Sequence, residues 1–484
     1  MKTVLNKIRF VLFFFLITVV SNAQNFNDAL KLSEPELGSS ARALGMGNSY
    51  TAISNDYSAV YFNPAGLGLI KNASLSFGLN YENLDNSATL FNSVNNNSTG
   101  ATDFSKIGLV FPFPTYRGSL VFAFGYNQQK SFNRTVKFDG FNSANNSYIQ
   151  YLTNLNDDIP YLLGLSYGLF DENDNYIQDE TLINGRLNQS GTINEEGSIN
   201  SWNISASAEV APDVFVGGTL NIISGSYKQY KEYYEDDVQN IYNNSILLDP
   251  SDEVTRDFQT FYLNDVIDWD LSGWDFKLGL IYKVNKHVNI GGSIKFPSFY
   301  TIKETFLVSG SSTFANGDGY DLDPDESKSE YDIDSPYEFT GGASVNYNGL
   351  IVSVDLKLID YSQMEFSSGL DVIKRNDNNK EIIELFDNVL NYSFGAEYTI
   401  PQIGIKVRGG YINNQSPFKG DPSEFDKKYF TAGLGFEANE RLGVDIAYAH
   451  GWWENYSDNY DAEVSRVFHD VTIDKLIFNL TYNF

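Results

Sequence analysis

The chain has 484 residues, a formal charge of −29 and no cysteine. The lack of cysteine excludes disulfides and thiol chemistry, and the negative charge argues against nucleic acid, whose phosphates it would repel. Aromatic residues make up 15% of the chain, chiefly 36 Phe and 32 Tyr, and they accompany 39 Gly. This composition is typical of barrels in bacterial outer membranes.

The first part of the chain predicts a signal peptide over residues 1–23. Lys2, Lys7 and Arg9 precede a largely apolar run of eleven residues, and Ser21-Asn22-Ala23 follows as a small-x-small cleavage site. Such a run is too short for a membrane-spanning helix, which needs roughly twenty residues. We therefore expect the exported chain to begin at Gln24. Its charge would be −32, because the leader removes three basic residues from a total of −29.

Further along the chain, apolar and polar residues alternate with a period of two. In segment 73–82 the odd positions are apolar from Ala73 to Tyr81, whereas the even positions are Ser, Gly, Asn and Glu. Segment 442–449 and the last twelve residues repeat the pattern, and the chain ends on Phe484. A strand with one apolar face and one polar face separates two environments.

This pattern predicts an all-β fold of fourteen antiparallel strands. An even number allows both ends of an up-and-down barrel to lie on one side of the membrane. The expected strands are 73–82, 106–113, 118–129, 199–209, 214–230, 273–284, 288–306, 336–347, 350–359, 390–400, 403–413, 428–437, 441–451 and 473–484.

The lengths of the connections separate a membrane barrel from a soluble sandwich. Every second link is minimal, as at Asn285–His287, Asn348-Gly349 and Pro401-Gln402. The links between them are long, and the longest are expected at 130–198 and 231–272. Short periplasmic turns that alternate with long extracellular loops are typical of transmembrane barrels. We therefore assign residues 73–484 to such a barrel, located in the outer membrane of a Gram-negative bacterium.

Segment 24–72 lacks the period of two and is rich in small residues. It contains Ala41-Arg42-Ala43-Leu44-Gly45-Met46-Gly47, an Asp-containing stretch, and then Asn63-Pro64-Ala65. A barrel of fourteen strands leaves a lumen unless something fills it, so we expect this segment to be a plug. Over residues 38–70 it resembles the N-terminal hatch of the FadL-type channels, which carry long-chain fatty acids and hydrocarbons across outer membranes.

The resemblance implies a fourteen-stranded barrel plugged by a hatch. It also implies that substrate is caught at an extracellular groove, passes to an internal pocket and leaves sideways beside the third strand. Asn63, Pro64 and Ala65 match the hatch turn that the family associates with transport. The long acidic loops depart from the best-known members, so the resemblance does not place the extracellular groove on particular residues.

Basic residues on the lumen face are the candidate ligand site. By parity six of them point inward, although the protein is acidic: Lys277, Lys295, Lys357, Lys406, Arg408 and Lys475. One reading is that they pair with inward carboxylates such as Glu397, because an unpaired buried charge is costly. The other is that Arg408, Lys406, Lys357 or Lys295 holds the carboxylate of a fatty acid.

Stretch 148–170 predicts one or two short amphipathic helices interrupted by Pro160. Its apolar residues recur at spacings of three and four. They include Leu152, Leu155, Leu162 and Leu163. This apolar face either packs on the rim of the barrel or receives a hydrophobic substrate first.

The sequence thus predicts a passive channel without enzymatic activity, metal or cofactor. The expected ligand is a hydrophobic compound such as a long-chain fatty acid. The other expected partners are membrane lipids, lipopolysaccharide and the barrel-assembly machinery, but not nucleic acid. Two alternatives remain open: a related barrel that serves a secretion machine by binding exported cargo, and an outer-membrane lipase. Divalent cations bound by the acidic loops are a further open question.

Overall fold

A computed structural model of the protein describes residues 24–315 and 317–484. The expected signal peptide therefore lies outside the described residues. The chain forms a closed antiparallel barrel in which β20 pairs with β1. Within the described ranges, no helix is both long enough and apolar enough to cross a bilayer.

Twenty strand segments build the structure. They are β1 Ser74–Leu90, β2 Ser93–Phe113, β3 Leu120–Ser131, β4 Arg134–Phe141, β5 Tyr167–Phe170, β6 Tyr176–Glu180, β7 Asn188–Ala211, β8 Val214–Asp236, β9 Phe258–Lys283, β10 Val288–Lys295, β11 Phe299–Phe314, β12 Gly319–Asp334, β13 Glu338–Tyr347, β14 Leu350–Asp360, β15 Glu365–Ser368, β16 Asn388–Thr399, β17 Lys406–Asn414, β18 Lys427–Glu437, β19 Leu442–Asp458 and β20 Arg466–Asn483. Segments β5 and β6 form a separate hairpin. The others form fourteen wall strands, because β3 continues into β4, β10 into β11, β12 into β13 and β14 into β15.

The predicted alternation is confirmed in the wall. Along β1 the residues Leu75, Phe77, Leu79 and Tyr81 are exposed on the outside, whereas Ser74, Ser76 and Asn80 are buried. Apolar side chains therefore face lipid, and small or polar ones face the lumen, as a transmembrane barrel requires.

The strands are much longer than predicted, so the two long loops were assigned wrongly. Half of 231–272 is strand, since β8 runs to Asp236 and β9 begins at Phe258. Segment 130–198 likewise contains β4, the β5–β6 hairpin and the start of β7. Both faces of these extensions are often polar because water, not lipid, lies outside them, and the contrast that marks a lipid-facing strand is lost.

The hatch occupies the lumen and consists of short helices. These are α1 Phe26–Ser33, α2 Ala41–Gly45, α3 Ala59–Phe62 and a 3₁₀ helix at Pro64–Leu69. Between α2 and α3, Asp355 of β14 accepts hydrogen bonds from the backbone N–H groups of Tyr50 and Thr51 at 2.9 and 2.8 Å. Wall strands therefore hold the hatch by specific polar contacts as well as by packing.

Two further features close the extracellular end. Helices α4 Tyr148–Asn154 and α5 Asp158–Leu162 confirm that stretch 148–170 forms short helices, but the break lies at 155–157 and not at Pro160, which is inside the second helix. They pack with the tops of β8, β9 and β11 in one apolar cluster, which we call the extracellular core; its members include Ile149, Tyr233, Phe261 and Val308. Another helix, α6 Val372–Leu385, lies in the predicted loop after β14 and was not anticipated from the sequence.

Candidate functional site

A cavity lies in the lumen between the hatch and the wall. It encloses about 1310 Å³ of space not filled by protein, part of it open to solvent. The hatch contributes apolar side chains, among them Leu32, Leu37, Val60 and Phe62, and also the carboxylates of Glu34 and Glu36. The wall contributes mainly polar ones, including Lys130, a group of three lysines (Lys277, Lys295 and Lys357), and the carboxylates of Asp275, Glu338 and Asp355. An apolar molecule with one polar end would find partners for both of its parts here.

The three lysines surround one carboxylate. Lys295 and Lys357 donate to the two oxygens of Glu338 at 3.0 and 2.9 Å. Lys277 instead donates to the backbone oxygen of Tyr61 in the hatch, and its Nζ lies 5.0 Å from the centre of the Tyr61 ring. Among the described residues, no carboxylate lies within ion-pair distance of Lys277. The cluster thus has a cation that an anionic group could approach without displacing a partner.

Two of the predicted basic residues do not reach this cavity. The side chain of Arg408 is fully buried, and it donates to Glu397 and to Asp445 at 2.6 Å each. Glu397 also forms a salt bridge with Arg42 of the hatch. Lys406 pairs with Glu437 near the periplasmic turn. Arg408 is therefore engaged in the wall pairing that the sequence left as the alternative, and the structure does not place it as a clamp for ligand.

The Asn63-Pro64-Ala65 turn is locked against the wall. Asn63 is fully buried and donates to the backbone oxygens of Thr51 and Leu280 at 2.8 and 3.0 Å. Pro64 begins the 3₁₀ helix, where its lack of an N–H has no cost. The oxygen of Ala65 accepts from Ser207 at 3.0 Å.

Two wall glycines make room for this turn. A Cβ at Gly217 would lie 2.4 Å from the carbonyl atoms of Pro64, and one at Gly279 would lie 1.9 Å from Oδ1 of Asn63. The two glycines are register partners on β8 and β9. The hatch therefore approaches the wall as closely as backbone allows, and any larger residue would push the turn into the lumen.

The four leucines of the extracellular helices divide into two pairs. Leu152 and Leu163 are buried in the extracellular core, whereas Leu155 and Leu162 are each 51% exposed. Tyr161 next to them is also exposed. The first pair therefore has the packing role, and only the second pair is available to a substrate.

A seam without backbone pairing runs up the wall between β2 and the third wall strand. Pairing begins near the periplasm and ends at Lys106 and Asn127. Higher up, among the described residues, side chains bridge the strands instead: Asn97 donates to the backbone oxygen of Thr135 at 3.2 Å, and the Thr135 N–H donates to Thr99 at 3.1 Å. In the unpaired stretch β3 ends at Ser131 and β4 begins at Arg134.

A second, smaller cavity lies behind the seam. Ser105, Gln128, Gln129 and Lys130 line it, together with residues of the hatch. Gln129 and Lys130 also line the first cavity, so the two spaces adjoin. On the outer face of the seam the rings of Phe104 and Tyr126 stack with their centres 5.7 Å apart. The family resemblance implied a sideways exit beside the third strand, next to the seam, but it did not single out Lys130, which fell in a segment interpreted as loop.

The histidines do not form a metal site. His450 pairs with Asp474 at 2.8 Å, whereas His469 contacts Ser457 at 2.9 Å and Asn86 at 3.3 Å. Nδ1 of His469 lies against the Asn86 amide and Nε2 against the Ser457 hydroxyl, so both ring nitrogens have a polar neighbour within the wall. In residues 24–315 and 317–484, no group of three or more His, Cys, Asp or Glu side chains could hold a metal ion.

Comparison with solved structures identifies the fold. A FadL homologue of Pseudomonas aeruginosa is 13% identical, with a TM-score of 0.58 over 93% of this chain and 100% of that chain. The toluene transporter TodX of Pseudomonas putida is 13% identical, with a TM-score of 0.57 over 92% of this chain and 99% of that chain. The toluene transporter TbuX of Ralstonia pickettii is 16% identical, with a TM-score of 0.52 over 92% of this chain and 98% of that chain. No protein-family model and no curated protein matches the chain. The protein therefore shares the fold of these structures, a barrel of fourteen antiparallel strands with an N-terminal hatch.

Proposed function

We propose that the protein is an outer-membrane channel for the passive uptake of hydrophobic compounds such as long-chain fatty acids. The observation that carries this proposal is the lumen cavity, which is lined in part by apolar side chains of the hatch and adjoins the seam in the wall. The names of the similar structures, transporters of toluene and a FadL homologue, support the same class of substrate.

The route that we propose has an entrance above the membrane and an exit through its side. Leu155 and Leu162 on the extracellular helices would meet the substrate first. The apolar tail would then lie against Leu32, Val60 and Phe62, and release would follow through the seam between β2 and β3. Such release places the molecule in the membrane, so that it need not cross the polar periplasmic turns.

Within this route we propose that Lys277, Lys295 and Lys357 hold an anionic head group. Their only ion-paired carboxylate among the described residues is Glu338, so Lys277 is the member of the cluster that could pair with an anionic head group. A charge-assisted hydrogen bond of this kind contributes roughly 1.5–3 kcal/mol. Outer-membrane lipids, lipopolysaccharide and the assembly machinery remain the expected partners during insertion.

Uptake of a pyrene-labelled fatty acid by cells that lack the gene, with and without the protein restored, tests the proposal. Restored uptake supports a channel. Unchanged uptake, together with capture of exported proteins by the extracellular loops, would favour the secretion platform instead. Mass spectrometry of lipids that co-purify with the detergent-extracted protein identifies the ligand class directly.

A further inference from the structure

Strand β2 carries a β-bulge at the base of the seam. Gly78 of β1 pairs with Lys106 and Leu79 pairs with Phe104, so Ser105 has no register partner on β1. Ser105 and Lys106 are both buried, and two consecutive side chains therefore face the lumen instead of alternating. The ladder from β2 to β3 also ends at Lys106. A bulge re-aims a side chain and ends pairing, and this one directs Ser105 into the second cavity.

The second cavity offers hydrogen bonds that the protein leaves unused. It encloses about 260 Å³ of space not filled by protein, part of it open to solvent. Ser105 and Asn80 line it and are 1% and 4% exposed. Among the described residues, neither Oγ of Ser105 nor Oδ1 of Asn80 has a hydrogen-bond partner. Buried polar atoms are nearly always bonded, so these two indicate a guest that donates to Asn80 and either donates to or accepts from Ser105.

The charges of this cavity are already paired. Lys130 lies 3.9 Å from a carboxylate oxygen of Glu36, and Lys475 lies 3.2 Å from one of Glu82. The remaining lining side chains are uncharged: Ser39, Asn80, Ser105, Gln128, Gln129 and Ser131. The cavity thus differs from the lysine cluster around Glu338, and it selects for hydrogen bonding rather than for negative charge.

The second cavity lies close to the outer boundary of the lipid. The stacked rings of Phe104 and Tyr126 cover the seam from outside, and aromatic rings concentrate where lipid meets water. On β20 the outward-facing Asp474 pairs with Asn83, three residues above Asn80. Because a charge on the lipid face is costly, the hydrocarbon region ends below Asp474. A polar group beside Asn80 therefore lies near head-group depth, and a chain attached to it can enter the acyl layer.

We propose that the second cavity binds a head group that both donates and accepts hydrogen bonds, such as the hydroxyl of a long-chain alcohol or the protonated carboxyl of a fatty acid. This inference rests on the proposed function, because it assigns a step to the seam through which substrate is released. The head group bonds to Ser105 and Asn80 while its chain passes between β2 and β3 into the membrane. A hydrocarbon makes neither bond and displaces water from the polar lining without compensation. The seam therefore favours amphiphiles over hydrocarbons of the same length.

Photoaffinity labelling of the purified protein in lipid nanodiscs tests this site. One probe is hexadecanol with a diazirine beside the hydroxyl-bearing carbon, and its counterpart carries the diazirine at the far end of the chain. By mass spectrometry we expect the head-group probe to label segments 78–82 and 128–131 and the tail probe to leave them unlabelled. Unmodified hexadecanol should displace the head-group probe, whereas hexadecane should not.

Two variants remove the unused hydrogen-bonding atoms. Ser105→Ala and Asn80→Ala should each raise the probe concentration for half-maximal labelling by about two- to tenfold, the effect of one hydrogen bond. Ser98→Ala on the same strand is the matched control and should label like the wild type, because its exposed hydroxyl donates to Asn83 at 3.0 Å outside the cavity. If one cavity variant fails to assemble, the other gives the same comparison.

Equal half-maximal concentrations for the cavity variants and Ser98→Ala would overturn the inference. So would displacement by hexadecane as efficient as by hexadecanol, or head-group labelling confined to other segments. Uptake by cells separates this failure from that of the proposed function. Restored fatty-acid uptake without labelling at 78–82 and 128–131 refutes the site and keeps the channel, whereas labelling there without uptake refutes the channel and keeps the site.

Discussion

Substitution of the wall glycines under the hatch turn gives the sharpest test of how the plug is held. In Gly279→Ala the new methyl group would lie 1.9 Å from Oδ1 of Asn63 and 2.9 Å from Cδ of Pro64. Because both groups are buried, the turn must move into the lumen. Overpacking of this kind costs about 1–3 kcal/mol, and loss of the Asn63 hydrogen bonds to Thr51 and Leu280 adds about 0.5–1.5 kcal/mol each.

Hydrogen exchange in residues 60–70 and ion conductance in planar bilayers measure the outcome. We expect exchange at this turn to rise by about a factor of ten or more, since each 1.4 kcal/mol corresponds to a factor of ten. Conductance should rise as well because the plug fits less closely. The barrel should stay heat-modifiable, as alanine in a strand is no worse than glycine.

The control is Gly341→Ala on β13, where nothing lies within 4 Å of the added carbon. It introduces the same residue change in the same barrel without touching the hatch. If Gly279→Ala and Gly341→Ala show equal exchange and equal conductance, the hatch turn is not held by close contact with the wall, and the reasoning fails.

Four further predictions follow from the same geometry. A disulfide between Ser105→Cys and Gln128→Cys, the next positions above the last paired residues, should stop fatty-acid uptake until it is reduced, whereas a disulfide between Leu109→Cys and Phe124→Cys in the paired ladder should not. Lys277→Gln should weaken binding of a fatty acid by about ten- to a hundredfold and leave binding of its methyl ester unchanged; equal losses would exclude a head-group contact. Arg408→Gln should lower barrel stability and reduce acid and ester binding equally, because it leaves Asp445 unpaired. Burial raises the pKa of Glu235 to about 7, so between its ordinary value of 4.5 and about 7 the folded state holds a proton that the unfolded chain releases. Hydrogen exchange in α4 should therefore speed up as the pH rises through that window, and Glu235→Gln should abolish the dependence.

Alternation predicted the wall well wherever lipid lies outside it. Leu75 to Tyr81 and Leu476 to Phe484 show the required contrast, because lipid admits only apolar side chains. The extensions above the membrane lack this contrast, so β9 was expected to begin at residue 273 rather than at Phe258. The break between β10 and β11 carries a visible signal in Pro297, which cannot donate to the ladder, but the sequence interpretation ran a single strand through it.

The candidate site was predictable only in part. The period of two correctly predicted that Lys295 and Lys357 face the lumen, since charge on the lipid face is costly. Parity could not show that Lys295 and Lys357 line the cavity whereas Arg408 does not. It predicts which face of the wall a side chain lies on, but not which residue the side chain contacts. Arg408 is fixed by Glu397 and Asp445, which lie 11 and 37 residues away along the chain.

The way the hatch is fastened bears on the direction of transport. Along the barrel axis, passage would require release of the turn at Asn63, of Tyr50 and Thr51 from Asp355, and of Arg42 from Glu397. The contacts of Asn63, Tyr50 and Thr51 are buried and that of Arg42 is partly buried, so breaking the first three leaves polar groups without water to replace the lost partner. Sideways passage through the seam requires no backbone pair to break, because the ladder between β2 and the third wall strand ends at Lys106. The side-chain bonds from Asn97 and Thr99 can exchange for water, since they lie above the membrane. We therefore expect the lower barrier to lie through the wall, and a plug that stays in place is compatible with the proposed channel.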